Sequence, residues 1–131
     1  MQIINFLQKG LRKTLKLANG IQFSYAGPWA NVIETQAVDN WFVGDFMSAD
    51  YTITIDRNTY DKEIVKCLVV ASPDNAAVTI YGRTSLTNPL INIQVTVDNS
   101  QVRLWLTPLN GSCKVIFSAN YYQTINPIVT N

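Results

Sequence analysis

Apolar and polar residues alternate with a period of two in one segment after another, and no other feature of this sequence limits its fold so strongly. The clearest example is the run 90–97, in which branched apolar residues alternate with amides and a hydroxyl. Successive side chains of a strand point to opposite faces, so one register buries the whole apolar set and leaves the polar set in water. The residues of this predicted core face are Ile91, Ile93, Val95 and Val97.

The same alternation predicts the buried faces of three more strands. They are Tyr51, Ile53 and Ile55, then Val102, Leu104 and Leu106, and then Val115, Phe117, Ala119 and Tyr121. The run Glu63–Ala71 is apolar on both parities after Lys66, which predicts a central strand that is covered on both faces. Short turn clusters separate these runs, so the five strands from Glu63 to Tyr122 are expected to form an antiparallel meander or part of a Greek key.

Weaker strand candidates at 21–25, 31–38 and 41–43 bring the total to about eight. A chain of 131 residues supplies one sizeable core. Many short strands separated by turns favour two packed sheets over one open sheet. The sequence therefore predicts an all-β fold: an antiparallel two-sheet β-sandwich, jelly-roll-like, with a basic N-terminal arm or amphipathic helix.

The first eighteen residues have a different pattern. On a helical wheel, apolar residues including Leu7, Leu11 and Leu15 fall on one side, and Lys9, Arg12, Lys13 and Lys16 fall on the other. These four cations lie before any acidic residue, so the net charge of +1 divides into +4 here and −3 (6 cations against 9 acids) in the remainder. We expect residues 1–20 to be a basic amphipathic arm and residues 21–131 to be the sandwich domain.

Two roles for this arm stay open at this stage. An amphipathic helix packed on the sandwich would cover an open sheet edge, whereas a docking arm would meet an acidic partner protein. Contact with a membrane surface or with DNA is a lesser alternative. The concentration of charge favours the interaction role, and it makes Leu7, Lys9, Leu11, Arg12, Lys13, Leu15 and Lys16 candidate partner-binding residues.

Little in the composition supports catalysis. The chain has no histidine, which removes the commonest general base and the usual ligand of catalytic zinc. Cys67 and Cys113 are 46 residues apart without metal-site spacing, and both are expected to be buried apolar residues of strands. A carboxylate pair for glycoside hydrolysis could be drawn from Asp39, Asp45, Asp50, Asp56 and Asp61, although solvated turn positions are the commoner role. We therefore expect no enzyme activity, no cofactor and no metal site.

Aromatic residues provide a second candidate for an interaction surface. Tyr81 and Trp105 lie on the parity opposite the aliphatic residues of their strands, while Trp29 and Trp41 lie near glycine or proline in loop-like contexts. Such side chains can form a contact between subunits, pack within the fold, or provide a platform on which sugars stack. We take Tyr81 and Trp105 as candidate partner-binding residues and leave the three alternatives open.

The segment 36–122 also carries a series of strand and turn motifs. They are Val38-Asp39-Asn40-Trp41, Ser48–Ile53, Ile64–Ala71, Ala77–Gly82, Ile93–Val97, Gln101–Pro108 and Lys114–Phe117. In these motifs the chain resembles a β-sandwich module of virion structural proteins of contractile-tailed phages of marine cyanobacteria. The resemblance covers about two thirds of the chain and leaves out the first 35 residues, where a short basic arm replaces the longer context of that family.

This resemblance implies a non-enzymatic structural component of a tailed phage virion, such as a decoration, neck, baseplate or fibre-associated protein. It would act through protein–protein contacts with other virion proteins and would form a homo-oligomer in the particle. It would fold in the host bacterial cytoplasm and then join the virion, with the arm as its anchor. The alternative is a carbohydrate-binding module for attachment to the host surface, with a glycan as ligand. Neither nucleic acid nor a membrane is an expected partner.

Overall fold

The computed structural model describes residues 13–16 and 22–124, with side chains from Ala26 onward. These residues form ten strands and no helix, and hence no helix that could cross a membrane. The strands are β1 (Lys13–Lys16), β2 (Gln22–Ala26), β3 (Ala30–Val32), β4 (Gln36–Phe42), β5 (Phe46–Asp56), β6 (Lys62–Ala71), β7 (Ala76–Ser85), β8 (Ile91–Asp98), β9 (Gln101–Pro108) and β10 (Cys113–Gln123).

Two antiparallel sheets pack face to face, which confirms the predicted all-β sandwich. The large sheet has the order β1-β2-β10-β5-β6-β7, with β3 also paired to β10, and the small sheet has the order β4-β9-β8. Strands β3–β10 are eight in number, five in the large sheet and three in the small one. β1 and β2 extend the large sheet to seven strands.

The connections follow a Greek key and not a meander. In the large sheet β5, β6 and β7 are neighbours in chain order, and β10 returns to lie beside β5. This is the spatial order 4-1-2-3 of a Greek key, with the β8–β9 hairpin of the small sheet inside the connection. The meander alternative is wrong because the chain changes sheets between β7 and β8 and again between β9 and β10. A jelly-roll connection is not confirmed.

The predicted core faces are confirmed. The residues assigned to the inner faces of β5, β9 and β10 are all buried, and on β8 Ile91 and Ile93 are buried while Val95 and Val97 pack partly buried against the core. The β8–β9 connection is a two-residue turn in which Asn99 and Ser100 have φ of 51° and 62°. Positive φ at both central residues gives the turn the twist that a tight hairpin requires.

The prediction that the strand Glu63–Ala71 is covered on both faces is wrong. β6 lies inside the large sheet, between β5 and β7, but its burial alternates strictly between buried and exposed residues. Ile64, Leu68 and Val70 point away from the small sheet and are exposed. An apolar run on both parities normally indicates two covered faces, but here the small sheet covers one face and no other described strand covers the second.

The helix alternative for the N-terminal segment is wrong at Lys13–Lys16. These residues form β1, which pairs antiparallel with β2 from Lys13 opposite Ala26 to Lys16 opposite Phe23. Four residues are about one helical turn, too short to fix a helical period, whereas an open sheet edge offers backbone hydrogen bonds at once. Residues 1–12 and 17–20 of the predicted arm lie outside the described residues.

Candidate functional site

The outer face of the large sheet, the side turned away from the small sheet, exposes an unusual number of large apolar side chains. We call the aliphatic residues of β6 on this face the β6 row: Ile64 (43% exposed), Leu68 (48%) and Val70 (53%). Tyr81 of β7 and Tyr122 of β10 are also exposed, at 47% and 38%. Isolated exposed apolar residues are ordinary, but several together on one sheet face are typical of an interaction surface.

The register of the sheet places the β6 row beside small and polar neighbours. Leu68 lies opposite Asp50 of β5 on one side and Thr79 of β7 on the other, and Val70 lies between Ser48 and Ala77. None of these neighbours is large enough to shield the aliphatic side chains from water. Within the row, Lys66 turns its Nζ to Thr52 Oγ1 at 2.9 Å, so its charge is drawn towards β5.

Tyr81 lies at an irregularity of the large sheet. The pairing of β6 with β7 shifts by one residue there, so that Lys66 pairs with Gly82 and Cys67 with Ile80. The Tyr81 hydroxyl donates a hydrogen bond of 2.7 Å to Asp50 Oδ1. This bond to a carboxylate raises the pKa of Tyr81 to about 12, with smaller contributions from desolvation and the charge of Asp50. The hydroxyl of Tyr81 is thus hydrogen-bonded, and the ring of Tyr81 is the part available for contact.

The outer face of the small sheet is more polar than that of the large sheet. Trp105 of β9 lies opposite Gln94 of β8 and Ala37 of β4, and its Nε1 donates a hydrogen bond of 2.7 Å to Thr96 Oγ1. The indole is partly exposed, and the β8 residues beside it are an amide and a hydroxyl. Tyr81 and Trp105, the two aromatic candidates from the sequence, therefore lie on different sheets and do not form one site.

Between the sheets, four polar or aromatic side chains join into a buried network that the sequence analysis missed. Asp39 Oδ2 on β4 accepts hydrogen bonds from Tyr51 at 2.8 Å and Tyr121 at 2.5 Å, and Trp41 Nε1 donates to the Tyr51 hydroxyl at 2.9 Å. Burial, followed by the nearby Asp39, raises the pKa of Tyr51 well above its ordinary value. Trp41 is fully buried, so the loop-like context assigned to it is wrong.

The sequence did carry a signal for this network. Asp39 and Trp41 are two residues apart and so share one face of any strand. The inner face of β10 ends in Tyr121, and that of β5 contains Tyr51. Which of these strands face one another across the core is decided by topology, so the sequence could not place the carboxyl among the hydroxyls. The network ties the small sheet to the large one.

A second buried carboxyl group stabilises the β7–β8 connection, along which the chain passes from the large sheet to the small one. Glu63 Oε2 on β6 accepts hydrogen bonds from Arg83 Nη1 at 2.8 Å and from Ser85 Oγ, and its Oε1 accepts one from the Leu90 backbone at 3.1 Å. Arg83 also donates to the Ile91 carbonyl at 3.3 Å. These bonds hold the β7–β8 connection, and they satisfy a carboxyl group that would otherwise be costly to bury.

The structure places the five candidate carboxylates in different surroundings. Asp39 is engaged inside the core, Asp50 accepts from Tyr81, and Lys62 lies 2.8 Å from Asp56. Asp61 lies 3.1 Å from Arg57, and its pKa is lowered chiefly by a hydrogen bond from Thr87. Asp45 lies in the β4–β5 turn.

One end of the sandwich has an open cleft of about 510 Å³. Of the described residues that line it, Asp56 alone is acidic, and the lining is Asn31, Ile33, Asp56, Arg57, Asn58, Thr59, Lys62, Ser112, Cys113 and Lys114. Arg57 is held by its ion pair and by the Asn110 carbonyl at 2.7 Å. Arg57 therefore joins the β5–β6 loop to the β9–β10 loop at this cleft.

Cys67 and Cys113 are buried free thiols on β6 and β10, as the sequence predicted. Burial raises the pKa of Cys67 to about 12 and, less strongly, that of Cys113. Such thiols stay protonated at neutral pH and are poor nucleophiles. Among the described side chains, no group of three histidine, cysteine or acidic residues could hold a metal ion.

The basic N-terminal candidates are only partly placed. Lys13, Leu15 and Lys16 belong to β1 at one edge of the large sheet. Leu7, Lys9, Leu11 and Arg12 lie outside the described residues, so their role as partner-binding residues stays a prediction.

Comparison with known proteins gives similarity in structure alone. No protein-family profile matches the chain, and no curated protein matches its sequence. The structure is similar to the tailspike protein of Acinetobacter baumannii phage AM24, with a TM-score of 0.50 and 12% identity, over 79% of this chain and 26% of that one.

Two other tailspike structures give TM-scores below 0.5. The tailspike protein of Acinetobacter baumannii bacteriophage Fri1, a capsular polysaccharide depolymerase, has a TM-score of 0.44 and 13% identity, over 85% of this chain and 19% of that one. The tailspike protein of Acinetobacter phage vB_ApiP_P1 has a TM-score of 0.39 and 11% identity, over 88% and 21%. The chain thus spans about a quarter or less of these tailspike chains, and what the first similarity establishes is a shared β-sandwich fold.

Proposed function

We propose that this protein is a non-enzymatic structural component of a phage tail that acts through protein–protein contacts. The observation that carries the proposal is the outer face of the large sheet, where the β6 row and Tyr81 are exposed. Water around such side chains is released when a partner covers them, which is the main driving force of most protein association. The fold shared with part of a phage tailspike supports a place in the tail.

A binding role fits this molecule better than a catalytic one. Glycoside hydrolysis needs two carboxyl groups that flank one bond. In the described cleft Asp56 is the one acidic residue, and it is paired with Lys62. The remaining candidate carboxylates are buried, bonded to other side chains, or located in turns away from this cleft.

The first test is mass spectrometry of purified phage particles, with stoichiometry measured against the major capsid protein. We expect the chain to be present in a fixed copy number, and its absence from washed particles would overturn the proposal.

The second test replaces Val70, which lies between Ser48 and Ala77, by Lys in the full chain. A charge on an exposed sheet face leaves the fold intact but must be desolvated on binding, so we expect incorporation to fall at least tenfold.

The matched control is Gln94→Lys on the outer face of the small sheet. Gln94 is exposed on the other sheet, so this variant should be incorporated normally. Equal incorporation of both variants would exclude the outer face of the large sheet as the contact surface. Circular dichroism and thermal unfolding confirm that each variant is folded before incorporation is measured.

The basic arm can be tested separately. Deletion of residues 1–12 removes Lys9 and Arg12 and keeps β1, which pairs with β2. If the arm anchors the domain, the truncated chain should fold normally and should be lost from particles. Normal incorporation would contradict an anchoring role for residues 1–12.

Trp105 favours a second candidate function, the binding of a glycan on the outer face of the small sheet. A partly exposed indole can stack on the apolar face of a sugar ring, and Asn92, Gln94 and Thr96 offer groups that can bond sugar hydroxyls. Trp105→Ala should abolish binding on a glycan array, whereas Trp29→Ala, at an exposed tryptophan outside the small sheet, should not. Absence of binding by the wild-type protein to any glycan would exclude this function.

A further inference from the structure

The free edge of the large sheet formed by β7 has little protection against pairing with another strand. β7 is hydrogen-bonded to β6 on one side, and in the described part of the chain no strand pairs with its other side. Its first seven residues, Ala76–Gly82, contain no charge and no proline. Backbone N–H and C=O groups on an open edge are a template for another strand, and natural proteins usually block such edges.

The other terminal strands of the two sheets are blocked or polar. β1 has four residues, two of which are Lys13 and Lys16. β4 carries the inward-pointing Asp39 and an irregular register. β8 also lacks charge and proline over Ile91–Val97, but its exposed side chains are the polar Asn92, Gln94 and Thr96. On β7, by contrast, Ala77, Thr79, Ile80 and Tyr81 are exposed.

We propose that the β7 edge pairs with β7 of a second copy of this chain, so that the two large sheets join into one. Antiparallel pairing about a twofold axis at Val78 places Ala76 opposite Ile80 of the second copy and Ala77 opposite Thr79. Each small side chain then meets a larger one, and no like charges meet anywhere in the paired segment. The low net charge of +1 also leaves little overall repulsion between two copies.

The β6 row lies one strand inside this edge. Val70 lies opposite Ala77 and Leu68 opposite Thr79. In the joined sheet the rows of the two copies lie on the same face, on either side of the axis and three strand spacings apart, ~14 Å. A second copy therefore supplies backbone hydrogen bonds to β7 and places the two exposed apolar patches on one continuous outer face.

The pairing is limited to the first half of β7. Beyond Ile80 the register shifts at Tyr81, and Arg83 turns inward to Glu63. Irregularities of this kind end strand pairing, so the joined segment is expected to be Ala76–Ile80. This proposal does not depend on the proposed function, because its test measures the isolated chain in solution and not its presence in particles.

The experiment is analytical ultracentrifugation of the full chain over a hundredfold range of concentration. We expect a concentration-dependent shift from 14.7 kDa to about twice that mass. A double variant with Ala77→Lys and Thr79→Lys should remain monomeric throughout, because lysines on the free edge repel each other across the axis. The control is Thr54→Lys, which adds charge to the same outer face two strands away from the edge and should leave the dimer intact.

Hydrogen exchange provides a second measurement that needs no variant. Amides of Ala76–Ile80 should exchange more slowly at high protein concentration, while amides of the β8 edge should not change. A chain that stays monomeric at every concentration overturns the proposal. So does a dimer that Thr54→Lys dissociates as strongly as the edge variant does, which would indicate packing of face against face.

Discussion

The outer faces of the two sheets differ in the kind of side chain that they expose. Each sheet must bury one side in the common core and present the other side to its surroundings. On the small sheet that side carries mainly amides and hydroxyls, together with Trp105, whose Nε1 is bonded to Thr96, and the exposed Phe42 at the end of β4. On the large sheet it carries Ile64, Leu68 and Val70, which neighbouring side chains leave exposed.

The difference shows that alternation of sequence and alternation of burial are separate properties. β6 alternates in burial as regularly as any strand of the fold, yet its sequence is apolar on both parities. A face that is apolar and exposed gains nothing for the folded monomer, so its composition points to a partner. On the small sheet, by contrast, most outward side chains are polar and hydrogen-bond water, so a ligand there has to compete with water for these groups.

The largest expected effect on stability comes from disrupting the buried hydrogen bonds of Asp39 between the two sheets. Asp39→Ala leaves the hydroxyls of Tyr51 and Tyr121 without their common acceptor in a buried space, so we expect a loss of about 3 kcal/mol in the free energy of unfolding. Urea denaturation measures this loss in the free energy of unfolding. Asp74→Ala, at an exposed turn, is the control and should change stability by less than about 0.5 kcal/mol. Equal effects of the two variants would show that the network does not join the sheets.

The two faces of β6 can be compared with one substitution at adjacent positions. Val69 is 2% exposed and Val70 is 53% exposed. Val69→Ala removes buried methyl groups and leaves a cavity, so it should cost about 2 kcal/mol, whereas Val70→Ala should change stability by less than about 0.5 kcal/mol. Both values come from denaturant unfolding at a concentration at which the chain is monomeric. A loss at Val70 as large as that at Val69 would mean that its face is covered within the monomer.

On the small sheet, Trp105→Phe keeps an aromatic ring and removes the hydrogen bond to Thr96. We expect a loss of about 1 kcal/mol in unfolding free energy, since the bond is partly exposed and water can replace it. Thr96→Val, which removes the same bond from the other side, should cost about the same. Additive losses in the double variant would contradict a direct bond between these two side chains.

The smallest effect concerns Tyr81 at alkaline pH. Its folded pKa of about 12 lies above the ordinary value of 10.0, so the folded protein holds a proton that the unfolded chain releases. This contribution to stability is complete below pH 10 and is lost as the pH rises from about 10 to about 12. Asp50→Asn removes the carboxylate and should lower the pKa of Tyr81, which ultraviolet titration of tyrosinate measures against the Tyr81→Phe variant. An unchanged titration would show that the hydroxyl does not bond Asp50.

Much of the fold could be predicted from the sequence, because the inner faces of β5, β8, β9 and β10 are decided locally by alternation. Residues such as Val102 and Phe117 lie on the predicted faces. The order of strands could not be predicted, since the position of β10 beside β5 depends on contacts more than fifty residues apart. For the same reason the sequence placed Tyr81 and Trp105 together as candidates, although the fold puts them on different sheets.

By itself the sequence determined that this chain is an all-β sandwich, because a period of two leaves each strand one register that buries its apolar side. The tertiary structure alone decided which apolar residues are buried by another part of the fold. The small sheet packs on one face of the large sheet and no described strand packs on the other, so one face of β6 is buried and the other is exposed. Where a strand is apolar on both parities, as β6 is, exposure depends on what packs against the strand, and the pattern within the strand does not encode it.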